Sequence, residues 1–548
     1  MPSVVAQSQP VPPLKPIEQL PKSNPTPLPT QSPPTISPPS RIEPEVLPEI
    51  PKKIRVLRYE VQGSTVFAAK ELEAVTEKFK GLVTFEQIRD AKAAIEALYR
   101  NRKFLTTTVI IPTNQPPLSV NGAVVRVQVK EGVLEDIKVI GTRRLNPSYV
   151  RSRLAIAAQK PLNNDRLIEA LRLLQQDPLI ETVSAELSNG IQPNTSLLEV
   201  TIRERQSFNA QLALDNNRSP SIGSNQRRVQ LTEGNLLGLG DNITLAYTNT
   251  QGSNTIDASY SIPLSPRNTS LSFNFGSTSS RVVEEPFNIL DINSKSRYYE
   301  VSLRHPLILR AREDSTQELA IGLTGSQLNS ETTLLGIPYQ LSTGSDEMGR
   351  TRISALRFFQ EYIQRSNRSV LVARSQFNLG LSILNSTINT NAPDSRFFYW
   401  QGQARWFQQL APETNLILQT KAQLSTRSLV PLEQLAIGGQ ATVRGYRQDL
   451  LLTDNGVLAS VELQLPLLKS PTNVVHIAPF FDFGSVWNYD AETTPNPSVL
   501  FSTGLGVQWR SRNLIARLDW GIPLVNVSNR RNTWQEKGIY FSVRYFPF

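Results

Sequence analysis

The fold is decided by the stretch Leu514–Trp520, which reads LIARLDW. Leucine, alanine and tryptophan occupy every second position, and isoleucine, arginine and aspartate lie between them. Because successive side chains of a β-strand point to opposite faces, the stretch predicts a strand with one apolar and one mainly polar face. The same alternation recurs in Ile243–Thr248, Leu271–Gly276 and Leu505–Trp509, and it continues from Phe208 to the end of the chain. This is more strand than an ordinary soluble domain carries.

The alternating region predicts a membrane β-barrel. Its off-face positions carry mostly small polar residues, glycine and charges, whereas a soluble β-sandwich needs two apolar inner faces. A propeller or a β-helix would show a sequence repeat of 20–50 residues, and we find no such repeat in this region. All six tryptophans lie between Trp400 and Trp534, as interfacial aromatic girdles would place them. About sixteen strands are expected, an even number that is typical of bacterial outer-membrane barrels.

The first part of the chain has a different composition. Residues 1–52 hold 16 of the 39 prolines. Such a stretch buries too little apolar surface to fold, so it is predicted to be a disordered linker. The basic start and apolar run of a secretory signal are not recognisable in it. Either the chain begins after a removed signal, or its start has been assigned too far downstream.

Two tandem α+β domains are predicted next, at 53–131 and 132–206, before a barrel domain at 207–548. Strand and helix signals follow the same order in both, and α-helical periodicity ends before the barrel. Two short motifs recur: Val61–Gly63 as Val139–Gly141, and Val129–Glu131 as Ile202–Glu204. Recurrence in the same order indicates a repeated domain of about 75 residues.

Composition excludes several functions. The chain has no cysteine and only two histidines, so disulfides, Cys-ligated metals and His-rich metal sites are excluded. Nucleophile-elbow, zinc-protease and phosphate-loop motifs are missing, so we expect no catalysis, no metal and no cofactor. The net charge of +10 is dispersed without a block of basic residues, so no nucleic-acid partner is expected. The carboxylates Glu284 and Glu285 fall in a loop-like stretch and are interpreted as solvated charge.

A glycine-rich segment surrounds Arg444, within Leu429–Asn455 and between two strand-like stretches. It reads GGQATVRGY from Gly438 to Tyr446. Connections of this length without regular structure are usually functional or disordered. Glycines on both sides of the arginine allow tight backbone turns and direct the guanidinium away from the tip of the loop.

An aspartate lies among phenylalanines in Phe480–Gly484, which reads FFDFG. A carboxylate that faces lipid is costly, so Asp482 should face the lumen and find a partner there. An arginine fork satisfies a carboxylate with two parallel hydrogen bonds. Composition alone does not pair Asp482 with Arg444, because other charges lie on the predicted wall. These are Glu462, Arg517 and Asp519.

At this point the sequence resembles a known family. Two motifs carry the resemblance: Val443-Arg444-Gly445-Tyr446 and Phe480-x-Asp482-x-Gly484. They are similar to the signatures of the sixth extracellular loop and of a nearby barrel strand in the POTRA-barrel outer-membrane superfamily. The resemblance implies that the loop folds back into the pore and that Arg444 engages Asp482. Two POTRA-like domains before a 16-stranded antiparallel transmembrane β-barrel resemble the TpsB transporters, the haemolysin and filamentous-adhesin secretion/activation proteins.

The resemblance implies a translocation pore for two-partner secretion in the outer membrane, with its N-terminal domains in the periplasm. The implied partners are a large secreted exoprotein with an N-terminal secretion domain, the lipid and lipopolysaccharide of the outer membrane, and the barrel-assembly machinery. The resemblance implies that this machinery recognises an aromatic residue at the C-terminus. Phe548 fits this assembly signal, although Pro547 precedes it. An extended segment of the exoprotein is expected to bind by β-augmentation to one strand edge. The residues of this edge are Thr106, Thr107, Thr108, Val109 and Ile110.

The alternative function is that of an assembly factor that inserts other barrels, since it would share the fold. Insertases usually carry more POTRA domains, so two such domains favour secretion. Two globular periplasmic domains argue against a passive porin, and the missing catalytic motifs argue against a barrel enzyme.

Overall fold

The computed structural model describes residues 53–116, 122–528 and 531–547. The linker predicted at 1–52 and the terminal Phe548 lie outside the described residues. The described chain forms two compact units, an N-terminal unit up to Arg205 that also includes Ala311–Glu313, and a second unit from Gln206 onward. None of the described helices is long and apolar enough to cross a membrane.

The N-terminal unit begins with a four-stranded sheet and two helices. Its elements are β1 (Ile54–Gln62), α1 (Ala69–Thr76), β2 (Gly81–Val83), α2 (Phe85–Asn101), β3 (Thr108–Ile110) and β4 (Ala123–Lys130). The strand order is β2-β1-β4-β3, with β1 parallel to β4. The capping box predicts the start of α2: Gln87 N donates to Thr84 Oγ1 (3.3 Å) and Thr84 N donates to Gln87 Oε1 (2.9 Å). Ile88, Ala91 and Ile95 bury the apolar face of α2 in the core of this sheet.

A second domain repeats this plan with three strands. Its elements are β5 (Val133–Ile140), α3 (Pro147–Ala155), α4 (Asn164–Gln175), β6 (Ile180–Asn189) and β7 (Thr195–Glu204). The strand order is β5-β7-β6, and β5 is parallel to β7 as β1 is to β4. The α+β architecture expected for both N-terminal domains is confirmed.

The repeated glycine ends the first strand of each domain. Gly63 and Gly141 have φ angles of +82° and +87°. Residues with a side chain rarely adopt such positive φ angles. A Cβ at either position would lie 2.3 Å from the carbonyl oxygen of Val129 or Ile202 on the last strand. Glycine is therefore required where the chain leaves the first strand close to the last one.

The repeated glutamate holds the loop that follows this glycine. Glu131 accepts a hydrogen bond from Thr65 N (2.7 Å), and Glu204 accepts from Arg143 N (2.6 Å) and Leu145 N (2.9 Å). Burial raises the pKa of each carboxyl, but the hydrogen bonds outweigh burial and hold each pKa below its ordinary value.

Glu204→Gln should loosen the second domain more at neutral pH than in acid. Because the folded pKa is depressed, the carboxylate stabilises the domain above its unfolded pKa of about 4.3. That contribution is lost as the pH falls through the lower folded pKa. Amide hydrogen exchange of Arg143–Leu145 in the full-length protein should be faster in the variant at pH 7, and the difference should shrink at pH 3. A difference that persists unchanged at pH 3 would contradict this assignment.

The second unit is a closed antiparallel barrel. Its strands are β8 (Phe208–Asp215), β9 (Gln226–Gly234), β10 (Asn242–Asn249), β11 (Ser253–Pro263), β12 (Ser270–Arg281), β13 (Asn293–Ala311), β14 (Ser315–Leu334), β15 (Ile337–Pro338), β16 (Arg350–Ser366), β17 (Ser369–Leu381), β18 (Phe398–Ala411), β19 (Thr414–Ser425), β20 (Leu435–Ile437), β21 (Leu451–Thr453), β22 (Asn455–Lys469), β23 (Val474–Trp487), β24 (Val499–Arg510), β25 (Leu514–Pro523) and β26 (Ile539–Tyr545). The short strand β15 pairs antiparallel with the end of β14, and β20 pairs with β21 in a separate two-stranded sheet. The other sixteen form the wall, which closes where β26 pairs with β8. The sixteen-stranded barrel is confirmed.

The alternation in the sequence corresponds to the two faces of this wall. On β25, Leu518 and Trp520 point outward and are 52% and 55% exposed, whereas Asp519 between them is fully buried inside. On β23, Phe481 points outward and Asp482 points inward. The outer face is therefore apolar and the lumen polar, as a membrane barrel requires.

The two ends of the barrel differ in the length of their connections. At one end, called the turn end, the connections are 235–241, 264–269, 312–314, 367–368, 412–413, 470–473 and 511–513. Phe208, where the barrel begins, and Tyr545, where β26 ends, both lie at the turn end. At the other end, called the loop end, the longest connection is 426–454, between β19 and β22.

Candidate functional site

The connection 426–454, called the inner loop, folds back into the barrel. Its apolar residues are buried: Leu429, Val430, Leu432, Leu435, Ile437 and Val443. The loop contains the short hairpin β20–β21, so part of this long connection has regular structure. Gly438 and Gly439, with φ angles of +108° and +98°, reverse the chain after β20.

Arg444 of the inner loop is held by Asp482 of β23 through three hydrogen bonds. Its Nε donates to Oδ2 (2.8 Å), its Nη2 to Oδ1 (2.8 Å) and its backbone N to Oδ2 (3.0 Å). Arg444 is 5% exposed and Asp482 is fully buried. Such a bidentate fork combines charge with a fixed geometry. The structure thus brings together the two residues that the resemblance pairs.

Further charges on the wall complete a buried network. Arg444 Nη1 donates to Glu462 Oε2 on β22 (2.8 Å). Arg517 of β25 donates to the same oxygen (2.7 Å) and to Asp519 Oδ1 (2.7 Å). Two guanidinium groups therefore lie among three carboxylates. Since each buried ion loses its hydration, such a network is stable only while every charge keeps a partner.

Each residue of the strand motif contacts the inner loop. The ring of Phe480 lies under the guanidinium of Arg444, with 3.3 Å between Cζ and the ring centroid. Asp482 accepts the hydrogen bonds that the guanidinium of Arg444 donates. A Cβ at Gly484 would lie 2.2 Å from Ile437 Cδ1 and 3.2 Å from Val443 Cγ2, so glycine leaves room for these two buried side chains of the inner loop. The spacing of the motif is thus the spacing of inward-facing positions on one strand.

The remaining residues of the loop motif bind the wall at its closing edge. Tyr446 OH donates to Phe501 O (2.9 Å) and accepts from Val525 N (3.1 Å). Gly445 N donates to Tyr540 OH on β26 (3.0 Å), and Tyr540 OH in turn donates to Tyr446 O. The loop motif as a whole therefore fastens the inner loop to β22–β26.

A second contact between the inner loop and the wall was not found from the sequence. Glu433 accepts from Arg357 of β16 (Nη2–Oε1 2.7 Å, Nη1–Oε2 3.0 Å) and from Tyr399 OH of β18 (2.5 Å). Alternation alone shows that Arg357 and Tyr399 face inward. No motif connects them with Glu433, which lies in a different part of the chain.

A third contact corrects the interpretation of Glu284 as solvated loop charge. Arg447 of the inner loop donates to both of its carboxylate oxygens, with distances of 3.2 and 2.9 Å. Arg531 also forms an ion pair with Glu284 (2.9 Å). Glu284 therefore joins the inner loop to the connections 282–292 and 524–538 at the loop end.

The predicted strand edge lies in the N-terminal unit and does not belong to this network. The strand is Thr108–Ile110, shorter than the segment expected from Thr106, because Thr107 N donates to Phe104 O in a turn (3.3 Å). Within the part of the chain that the structure describes, it forms one edge of its sheet and pairs with β4 alone. Thr108 is exposed, Val109 is buried, and Ile110 is half-buried.

Comparison with known proteins places this architecture in a family. Residues 194–509 match the model described as haemolysin secretion/activation protein ShlB/FhaC/HecB. The chain belongs to this family. Residues 54–132 also match the ShlB-type POTRA domain. The protein is a two-partner secretion transporter: its barrel lies in the outer membrane, its N-terminal domains lie in the periplasm, and proteins of this kind export a partner exoprotein.

Individual relatives are distant in sequence. The outer membrane transporter CdiB of Dickeya dadantii is 21% identical over 498 residues, covering 86% of this chain and 82% of the relative. The structure of CdiB from Escherichia coli superposes with a TM-score of 0.67 at 19% identity, covering 92% of this chain and 93% of that one. BamA from Haemophilus ducreyi, lacking POTRA domains 1–3, gives a TM-score of 0.54 at 15% identity, over 90% of this chain and 100% of that one. These structural likenesses show the fold.

Proposed function

We propose that this transporter recognises an N-terminal secretion domain of a large exoprotein, which crosses the barrel after the inner loop leaves its wall contacts. The observation that supports this proposal is the position of the inner loop inside the lumen. It is bonded to β23 through Arg444 and to β16 through Glu433, two well-separated strands of the wall. A polypeptide that passes through the same lumen has to displace these contacts.

The capture step is assigned to the N-terminal part of the chain. We divide the N-terminal part into a linker at 1–52, a first POTRA-like domain at 53–131 and a second POTRA-like domain at 132–206. The barrel at 207–548 follows. An extended segment of the exoprotein adds to the sheet edge formed by Thr108, Val109 and Ile110, next to Thr106 and Thr107. Edge strands bind extended chains through main-chain hydrogen bonds. Among the described strands, β4 is the one that borders this edge strand.

The driving force is assigned to folding of the exoprotein outside the cell, because the sequence contains no phosphate-binding motif. Opening the network around Arg444 costs about 3–5 kcal/mol if one buried partner is removed without replacement. Charged and polar groups of the passing chain, together with water, offset part of this cost. Outer-membrane lipid, lipopolysaccharide and the barrel-assembly machinery complete the proposed set of partners.

Crosslinking the inner loop to the wall should stop export. The chain has no cysteine, so Val443→Cys with Gly484→Cys introduces a single pair. In a disulfide, the Cβ of one cysteine lies about 3 Å from the sulfur of the other. A Cβ at Gly484 would lie 3.2 Å from Val443 Cγ2, so a cysteine sulfur at the position of this Cγ2 is within reach. The Cδ1 of Ile437, 2.2 Å from the new Cβ, has to turn aside. Export of the exoprotein into the medium should fall at least about tenfold when the pair is oxidised, and it should return on reduction.

Val443→Cys alone, treated with the same oxidant, serves as the control and should export normally. Crosslinked protein that exports at the rate of the reduced protein would show that the exoprotein passes without displacement of the inner loop.

A further inference from the structure

The outward face of β13 changes from apolar to cationic along its length. Leu303, Val301 and Tyr299 point outward and are 46–49% exposed. The next two outward positions toward the loop end are Arg297 and Lys295, and both are exposed. All five lie on one face, because alternate residues of a strand share a face.

Arg281 of β12 adds a third cation beside them. It lies opposite Asn293, so Lys295 is its diagonal neighbour across the strand pair, at about 7–8 Å. Lys295 and Arg297 are two residues apart on one strand, at about 7 Å. On β12, the residues opposite Lys295 and Arg297 are uncharged: Ser279 and Ser277. Arg281, Lys295, Arg297, Ser277, Ser279 and Asn293 are called the cationic patch.

The cationic patch differs from two arginines near the loop end, Arg350 and Arg396, which are paired with carboxylates. Arg350 forms an ion pair with Asp346 (3.0 Å), and Arg396 forms one with Asp394 (2.5 Å). Among the described residues, none of the three cations of the patch forms an ion pair with a carboxylate. Like charges that are neighbours on one sheet face destabilise each other, so an anion bound between them would be stabilising.

The depth of the patch indicates which anion reaches it. Tyr299 is in ring contact with Phe275 of β12 (5.4 Å between centroids), below the patch on the same outward face. Aromatic rings of this kind lie at the level of the lipid headgroups. The patch begins about 7 Å beyond Tyr299 along the strand. Because the barrel begins and ends at the turn end and the N-terminal domains are periplasmic, the patch faces the outer leaflet.

We propose that the cationic patch binds the phosphate groups of a lipopolysaccharide headgroup in the outer leaflet. Guanidinium and ammonium groups form charge-assisted hydrogen bonds with phosphate oxygens. The hydroxyl groups of Ser277 and Ser279 and the amide of Asn293 donate to the oxygens that remain. The apolar face below, from Tyr299 to Leu303, contacts the acyl chains of the same lipid. This site is independent of the export mechanism, so each can fail without the other.

The test is retention of bis-phosphorylated lipid A by the full-length protein in detergent, measured by native mass spectrometry. The wild-type protein should retain it, and Arg281→Gln/Lys295→Gln/Arg297→Gln should retain about tenfold less. The matched control removes three exposed cations at the turn end, Arg310→Gln/Arg312→Gln/Arg512→Gln, and should retain the wild-type amount. Lipid A without phosphates but with the same acyl chains should bind the wild-type protein about tenfold more weakly.

Equal retention of lipid A by the patch variant and the wild-type protein would overturn the proposal. Equal retention of phosphatidylglycerol and lipid A by the wild-type protein would overturn it as well, because the patch would then accept any anionic headgroup. Heat-modifiable migration in gels reports whether each barrel is folded. If the triple variant does not fold, Lys295→Gln and Arg297→Gln are tested singly, and each should retain several-fold less lipid A.

Discussion

Arg444→Ala is expected to lower export of the exoprotein at least about tenfold while the barrel still assembles. The substitution leaves Asp482, Glu462 and Asp519 buried, with Arg517 as the one guanidinium of the network. Loss of one partner from a buried ion pair costs about 3–5 kcal/mol, and each 1.4 kcal/mol is about a factor of ten. The carboxylates left behind repel one another, so the inner loop loses its defined position on the wall. Exoprotein in the medium and heat-modifiable barrel in the membrane are the two measurements.

Asp482→Ala should lower export to a similar extent, because the guanidinium of Arg444 then loses its carboxylate partner on β23. The double variant should lose less than the sum of the two single losses, since the two residues act as one pair. The matched control is Arg427→Ala in the same loop, whose ion pair with Asp394 spans 3.8 Å; it should export normally. Normal export by both Arg444→Ala and Asp482→Ala would refute a role for the pair in export.

Gly521→Ala is expected to lower export several-fold without removing any charge. Gly521 lies on β25 against the inner loop, and a Cβ there would lie 2.6 Å from Gly445 N and 2.8 Å from Arg444 C. Both are backbone atoms, so no flexible side chain can move aside. Overpacking of this kind costs about 1–3 kcal/mol. The backbone of Arg444 has to leave the wall, and its fork to Asp482 is misaligned.

Gly325→Ala is the matched control for this substitution. Gly325 also lies within a barrel strand, but nothing lies within 4 Å of a Cβ at that position. It should export like the wild-type protein. Equal export by Gly521→Ala and Gly325→Ala would show that close contact between the inner loop and β25 is not needed.

Much of the barrel follows from local sequence because its lipid-facing and lumen-facing sides repeat every two residues. Leu514–Trp520 shows the rule: the positions of Leu518 and Trp520 are lipid-facing, and that of Asp519 faces the lumen. The inward direction of Asp482 follows in the same way. A period of two is set by the backbone of the strand itself, so it can be recognised without knowledge of any neighbour.

The contacts of the inner loop could only partly be predicted. The pair of Arg444 and Asp482 came from a resemblance to known motifs, since the residues alone left several carboxylates open. Glu284 was interpreted as a solvated loop charge, and no motif marks Glu433. Each of them accepts two hydrogen bonds from an arginine distant in the chain. Their partners depend on how far the loop enters the lumen, and short-range patterns contain no information about that depth.

By itself, the sequence determined the two repeated domains, the number of wall strands and the side of the wall that each residue faces. The tertiary structure decided which of the inward charges meet and where the inner loop lies. Strand direction and side-chain alternation are properties of neighbouring residues. A buried ion pair, in contrast, forms only where the closed wall brings side-chain atoms from distant parts of the chain within about 3 Å of one another and excludes water.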